Sequence, residues 1–501
     1  MLIRRCLSSA ASSLPPTIRQ LLASPPSSPT AAIQVNGWVK SVRKQKKVAF
    51  AVISDGSSEP GLQAVFTDVG LAKQLTNGAS VRLRGMLKDS PGAGQAKELQ
   101  VSEAEVLGEC DPETYPMQKK ALTVEYLRDH CHLRARTREI GAMLRLRDSA
   151  ATAIHDYFHN NGFIHVHTPI ITSNDCEGAG ETFRIAPSSD PPSTTPSPAS
   201  SASTSTASSA TTAQSTPSEY FHHPAYLTVS SQLHLEAVAA AISRVYTLSP
   251  CFRAERSQTS RHLAEFWMLE AEWAFTSSVD DVCTVVEGAL RHLLRAHAAS
   301  SEMEALWRAR AAEGGADKRP ELLALADAPQ PWTRLTYTAA VDLLKAHHAR
   351  TNAFVFAPDW GKGLQSEHER WLAEEHVRGP VFVTDYPASL KPFYMRANDA
   401  SSPDHRAPGA TVACFDLLVP GVGELVGGSL REERLELLEA AIERHGLDRA
   451  DYAWYLDLRR YGGAPHGGFG LGFERLISWM SGIESVRECV AMPRWAGRML
   501  L

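Results

Sequence analysis

The sequence predicts an α+β fold: a small closed β-barrel on the N-terminal side, followed by a larger domain of antiparallel strands flanked by helices. Three observations carry this. Residues 33–107 break into five short runs of alternating apolar and polar residues, "IQVNGWVKSV", "VAFAVISD", "LQAVFTD", "VRLRGMLKDS" and "KELQVSEAEVL", with Gly or Asp-Gly breaks, which is the period and punctuation of strands. From 336 onward helical stretches ("YTAAVDLLKAHHA", "LREERLELLEAAIERHG") interleave with strand-like ones ("GPVFVTDYP", "ATVACFDLLVPG"), without the strand–helix–strand rhythm of a parallel sheet. No apolar run approaches the roughly 20 residues that cross a bilayer, so no membrane-spanning helix is expected.

At 501 residues the chain has room for two or three domains. Its formal net charge is -5, so a nucleic-acid partner has to be met by a local basic patch. Residues 1–54 supply one: they contain no Asp or Glu but carry Arg4, Arg5, Arg19, Lys40, Arg43, Lys44, Lys46 and Lys47. The first 30 of these residues are Ser-rich with only positive charge, the composition of a mitochondrial transit peptide. Residues 1–30 are therefore expected to be a leader addressing the protein to the mitochondrial matrix, with a disordered tail as the alternative. The eight cysteines form no C-x-x-C pair, which supports neither a disulfide framework nor a zinc site and fits a reducing compartment.

Five strands in about 75 residues suit an OB-fold over 31–110. Its basic segment Lys40 to Lys47 can track a phosphate backbone beside a stacking face at Phe50, or serve as a charged edge that blocks aggregation. A Pro-containing hinge, 111–130, leads into the second domain, 131–501. There "TREIGAMLRLRDSAATAIHDYFHNNGF" places Ile140, Met143, Leu144, Leu146, Ala150, Ile154, Tyr157 and Phe158 at helical spacing and stops at Asn160-Asn161-Gly162. A strand follows at "FIHVHTPIIT", where Pro169 requires an edge or a break. Residues 187–218 are almost entirely Ser, Thr, Pro and Ala, too polar to offset their ordering entropy, and are expected to be a disordered insertion. Residues from about 300 to 335, rich in Ala and charge, read as a peripheral helical insertion.

The chemistry concentrates in two stretches. In "FRAERSQTSRHLAEFWMLEAEW", Arg253 and Glu255 are two apart, which on a strand turns both to one face; an arginine fork suits phosphate and a carboxylate accepts from an exocyclic amine. "RSQTSRH" reads as a turn, and Phe266 re-enters a strand where its ring can stack on a base. In "HGGFGLGFERLISWMSG", Gly467, Gly468, Gly470 and Gly472 allow either close approach to a ligand or a tight strand-to-helix turn. Arg475 falls in the first turn of the following helix, where an acid is usual, which points to a bound anion.

"FRAERSQTSRHLAEF" resembles motif 2, "GLGFERL" motif 3 and "GFIHVHTPII" motif 1 of the class II aminoacyl-tRNA synthetases, and the likeness runs from about 33 to 494. Within that class the chain resembles the subgroup for aspartate, asparagine and lysine. It is most similar to the asparagine branch, through "NDCEGAGETF", "LTVSSQLHLE", "VTDYPASLKPFYMR", "CFDLLVPGVGELVGGSLREER" and "WYLDLRRYGGAPHGGFGLGFER". The resemblance implies ATP-dependent attachment of asparagine to tRNA(Asn) through asparaginyl-adenylate. It also implies roles: Arg253 on the α-phosphate, Glu255 on the adenine amine, Phe266 stacked on adenine, Arg261 and His262 on the loop over the nucleotide, and Arg475 on the γ-phosphate. Arg253 and Arg475 are the catalytic pair. Asp416 and Glu424 are the implied Mg²⁺ ligands, oxygen donors for a hard cation.

For the amino acid, Glu177 is the implied partner of the ammonium, with Ser230, Gln232 and Arg431 lining the pocket. Aspartyl members carry a lysine where this chain has Leu235; without that cation a neutral amide is favoured over a carboxylate. Leu430 departs from the glutamine usual in the family beside Arg431. Arg43, Phe50 and Gln63 match anticodon contacts, and motif 1 implies a homodimer with Pro169 near the two-fold axis. Cys251 and Cys414 are expected to be packing residues, and His262 an orienting group. Two other readings stand beside this one: an aspartyl enzyme, possibly non-discriminating, and a non-charging RNA-binding paralogue. The presence of Arg253, Glu255, Glu424, Arg431 and Arg475 opposes the second.

Overall fold

The computed structural model describes residues 14–25, 28, 31–92, 95–118, 120–173, 182–186, 220–399 and 407–501. The insertion expected at 187–218 lies outside these residues, as do residues 1–13 of the expected leader and Glu177.

A short helix, α1 (Ile18–Ala23), is capped by Thr17, whose hydroxyl accepts from the Gln20 amide. The five predicted strands follow: β1 (Ala32–Lys44), β2 (Ala49–Ser54), β3 (Leu62–Phe66), β4 (Ser80–Asp89) and β5 (Lys97–Gly108). They close in the order β1-β2-β3-β5-β4. Period-2 alternation sends Ala49, Ala51, Ile53, Leu62, Ala64 and Phe66 inward, which leaves Phe50 and Gln63 on the outer face. Helix α1 seals this barrel: Ile18 and Leu21 are buried in its core, and the Ile18 amide donates to Asp55 Oδ2 at 2.7 Å. Residues 18–23 thus belong to the folded barrel although they fall within the segment expected as leader, and a removable leader has to end before Thr17.

Helix α2 (Val124–Asp129) leads into α3 (Arg138–Asn160), which buries Ile140, Met143, Leu146, Ala150, Ile154 and Phe158 as its spacing predicts. It stops at Gly162, whose φ of +78° suits glycine. Motif 1 continues as β6 (Ile164–His165) and β7 (Ile171–Thr172). Pro169 sits in the break between them. Then come β8 (Arg184–Ile185), β9 (Ala225–Leu227), α4 (Gln232–Ile242), β10 (Arg244–Phe252), β11 (Glu265–Ala274), α5 (Val279–His297), α6 (Ser301–Ala312) and α7 (Arg319–Asp327). The remainder is β12 (Thr333–Thr336), α8 (Tyr337–Thr351), α9 (Ser366–Arg370), β13 (Val381–Thr384), β14 (Cys414–Val419), β15 (Gly423–Leu430), α10 (Leu435–Arg444), α11 (Ala453–Arg460), β16 (His466–Gly472) and α12 (Phe473–Ser481).

Eight of these strands form one sheet in the order β12-β13-β14-β15-β16-β11-β10-β6, antiparallel except for the two outermost pairs. One face is apolar. Leu269, Ala271, Phe415, Leu417, Val426, Leu430, Phe469 and Leu471 pack there with α3, α5, α6 and α12. Alternation puts Phe266, Met268, Glu270, Glu272, Asp416 and Arg431 on the other face, where α4 packs against β10 and β11. The segment read as a peripheral insertion is not peripheral at α6: Met303, Leu306 and Trp307 are buried in the main core, and Trp307 Nε1 donates to the Met480 carbonyl at 2.8 Å. Its Ala and Glu content masked an apolar face.

Truncation tests the barrel seal. Starting the chain at residue 16 is expected to leave the denaturant midpoint unchanged. Starting it at residue 25 uncovers the sites of Ile18 and Leu21 and should cost about 2–5 kcal/mol, measured as a lowered urea midpoint.

Candidate active site

Strands β10 and β11 form a hairpin that ends with Phe252 opposite Glu265. Arg253 and Glu255 are not on the strand, as their spacing predicted, but in the loop just beyond it; the Arg253 amide donates to the Ala264 carbonyl at 3.0 Å. They nonetheless face one site, with Nη1 and Oε1 3.9 Å apart. The Arg253 guanidinium lies 5.5 Å from the centre of the Phe266 ring, so cation, carboxylate and aromatic face converge within one nucleotide's reach. In the turn, His262 Nδ1 is 2.5 Å from Thr259 Oγ1 and Nε2 is 3.6 Å from Glu255. Burial lowers the His262 pKa, and Arg475, Arg261 and Arg253 add to this against Glu255. A ring held among three arginines suits orienting the loop better than taking a proton.

Across the sheet, Arg475 stands in the first turn of α12 as predicted. Its Nη1 donates to the Glu424 carbonyl at 3.1 Å and lies 3.5 Å from Glu424 Oε2. The buried neighbour Glu474 pairs with Arg147 at 2.8 Å and accepts from the Trp267 amide. Two glycines of β16 are needed by the sheet itself. A Cβ on Gly468 would lie 2.1 Å from both the Ala271 carbonyl and Glu272 Oε2, and one on Gly470 would press on Met268.

Asp416 and Glu424 face each other over Gly427, where a Cβ would sit 3.6 Å from an oxygen of each. Two groups missed from the sequence join them. Lys391 Nζ donates to both Asp416 oxygens at 2.8 and 2.9 Å, and Glu369 accepts from the Glu424 amide at 3.3 Å. Arg475, Lys391, Arg253 and Arg261 together outweigh burial and hold the Glu424 carboxyl low. Burial raises Asp416 and Glu369, and in both Glu424 adds to the rise. Asp416 and Glu424 offer the oxygen donors a hard divalent cation takes, but Lys391 holds both Asp416 oxygens, and among the described residues Asp416, Glu424 and Glu369 do not all come within metal-ligand spacing of one another.

The amino-acid side is built from α4, β11, β15 and α11. Ser230 Oγ donates to Glu270 Oε1, and the Ser231 amide donates to Oε2 at 2.8 Å. Arg431 is buried and gripped by Glu272 through Nε at 3.2 Å and Nη2 at 2.8 Å, while Nη1 donates to Ser429 at 2.6 Å. Leu235 packs with Ala239 and Val245, so no cation takes that position. Leu430 faces the helix-side core, opposite to Arg431, and does not form the pocket wall. Behind Gln232 lies Glu236, fully buried, with Tyr455, Arg459 and His466 around it. Burial would push its carboxyl up, but Arg459, His466 and Arg431 outweigh it and hold it far below the usual range. Glu236, Glu272 and His466 have the spacing of metal ligands, but the two arginines already neutralise the carboxylates, so this is an ion-pair network.

On the barrel, Arg43 pairs with Phe50 across β1 and β2, and Val52 with Gln63 across β2 and β3. Arg43, Phe50 and Gln63 therefore share the outer face, and the Gln63 amide is tethered to Glu98 at 3.4 Å. Cys251 and Cys414 are buried, and burial pushes the Cys414 thiol up to about 12, as inert packing residues require.

Residues 123–496 match the family described as tRNA synthetases class II (D, K and N). The chain belongs to this family. Residues 33–107 also match the OB-fold nucleic acid binding domain. The asparagine--tRNA ligase of Thermosynechococcus vestitus is 44% identical, with 93% of this chain and 96% of that protein covered. The human asparaginyl-tRNA synthetase is 43% identical, with 94% and 91% covered. Among solved structures, asparaginyl-tRNA synthetase from Pyrococcus horikoshii complexed with asparaginyl-adenylate superposes with a TM-score of 0.77 at 29% identity, covering 97% of this chain and 99% of that one.

Glu369 gives a test of the carboxylate crowding. Its raised pKa means that the folded state keeps a proton the unfolded chain has lost, so stability falls as pH rises from the unfolded value through the folded one. At neutral pH Glu369→Gln is expected to raise the melting temperature of the ligand-free protein and to weaken Mg²⁺ binding in calorimetry.

Proposed function

We propose that this synthetase attaches asparagine to tRNA(Asn) in the mitochondrial matrix, as a homodimer using ATP and Mg²⁺. One observation carries the substrate reading: the pocket's buried guanidinium, Arg431, is already held bidentately by Glu272, and the position three beyond Gln232 is a packed leucine. A carboxylate side chain would enter without a free cation, whereas a carboxamide needs none.

The asparagine carboxylate attacks the α-phosphorus of ATP and pyrophosphate leaves, giving asparaginyl-adenylate. The terminal 3′-hydroxyl of the tRNA then attacks the acyl carbon, and AMP departs. Arg253 faces the α-phosphate and neutralises charge as it develops, Glu255 receives the adenine amine, and Phe266 supplies the stacking surface. Arg475 fixes the γ-phosphate. This is catalysis by position and charge, and it needs no nucleophilic side chain. Asp416 and Glu424, with Glu369 beside them, would hold Mg²⁺, which supplies further charge neutralisation at the phosphates. Glu177 is assigned to the substrate ammonium by resemblance.

The homodimer reading is supported by the edge strand β6 and by Ile164, Ile170 and Ile171, all exposed around Pro169, an apolar face suited to a second copy. The mitochondrial reading rests on the acid-free, Ser-rich N-terminus. The barrel's Arg43, Phe50 and Gln63 suit splayed single-stranded bases.

ATP–pyrophosphate exchange should proceed with asparagine and be weak with aspartate; exchange with aspartate alone would sink the substrate reading, and none with either would favour a non-charging paralogue. Arg253→Ala is expected to slow the exchange by about 10²–10³-fold. A fluorescent protein fused behind residues 1–32 should enter mitochondria, and a diffuse cytosolic signal would contradict the targeting.

A further inference from the structure

We infer that Glu236 is a positioning residue for substrate choice: it fixes the orientation of the Gln232 amide, so that the pocket offers an acceptor to the substrate's side-chain end and rejects a carboxylate there. The inference rests on the asparagine reading above and deepens it.

Gln232 and Glu236 are four apart on α4, one turn, and so share a face. Gln232 Nε2 donates to Glu236 Oε1 at 3.1 Å. Oε2 accepts from the Tyr455 hydroxyl at 2.7 Å, Arg459 Nη2 at 2.8 Å and His466 Nε2 at 3.0 Å. A carboxylate held ionised by this set is an acceptor only. The glutamine therefore has one admissible orientation at this contact, NH₂ towards Glu236 and carbonyl oxygen turned away. An acceptor so placed can take an N–H from a carboxamide and has nothing to offer a carboxylate.

The same carboxylate acts through charge. Glu236 Oε1 lies 3.9 Å from Arg431 Nε, on the guanidinium whose fork Glu272 already fills. Three buried carboxylates, Glu236, Glu270 and Glu272, stand against two buried guanidiniums, Arg431 and Arg459. A substrate carboxylate would add a further anion where buried acids already outnumber the guanidiniums, and such a charge is costly where it cannot be paired. A glutamine in place of Glu236 would both free the Gln232 amide to flip and remove one negative charge, so both effects relax the same discrimination.

The test is steady-state ATP–pyrophosphate exchange with asparagine and with aspartate on the full-length protein, comparing wild type, Glu236→Gln, Gln232→Met and the double variant. For Glu236→Gln we expect KM for asparagine to rise by about tenfold with kcat little changed. The asparagine-to-aspartate ratio of kcat/KM should fall by at least about tenfold, with KM for ATP unaltered. In the Gln232→Met background the loss from Glu236→Gln should shrink, because the amide it orients is gone. A folded Glu236→Gln protein with the wild-type ratio would overturn the inference. So would Gln232→Met with the wild-type ratio, which decides the matter even if the Glu236 variant fails to fold. Wild-type exchange with aspartate alone would instead overturn the substrate reading beneath it.

Discussion

Charge placed on the polar face of the eight-stranded sheet has to be neutralised at close range, and the catalytic half is arranged around that constraint. The period of two in β11, β14 and β15 sends apolar residues to the core and leaves Glu270, Glu272, Asp416 and Arg431 on the opposite side. None of these groups is left to solvent alone. Glu272 locks Arg431, Lys391 locks Asp416, Ser230 and the Ser231 amide hold Glu270, and Arg475 reaches the backbone and side chain of Glu424. In the group of Asp416, Glu424 and Glu369 each carboxylate meets one cation, Lys391, Arg475 and Arg261 in turn.

Local periodicity carried much of this into the sequence. The five barrel strands, the long helix ending at Gly162, the break at Pro169 and the strand-to-helix turn before Arg475 all depend on neighbours within a few residues. The Arg253–Glu255 pair was legible as chemistry and misplaced as geometry. Their two-residue spacing gives a common face on a strand, but the hairpin has already opened at Phe252, and the loop achieves the same convergence another way. The glycines of β16 were legible as close approach, and at Gly468 what approaches is β11 and the Glu272 carboxylate.

Residues whose roles are set by distant partners stayed hidden. Glu369 sits in a run of charged residues on a short helix, which by itself reads as a solvated face, and only the fold brings it to Glu424. Glu236 looks like an ordinary helix acid until Arg459 and Tyr455, more than two hundred residues away in sequence, are placed beside it. Lys391 follows an unpatterned loop. No local signal separates these from surface charge. The α6 segment misled in the opposite direction, because one tryptophan and two aliphatic residues among alanines and glutamates are enough to make a buried face.

Trp307 grips one end of α12. Its ring lies against Gly482, where a Cβ would come within 2.7 Å, and its indole donates to Met480. Both contacts are at the C-terminal end of α12, and Arg475 is in the first turn of the same helix. The helix that presents Arg475 to Glu424 is thus anchored at its far end by a core residue of α6.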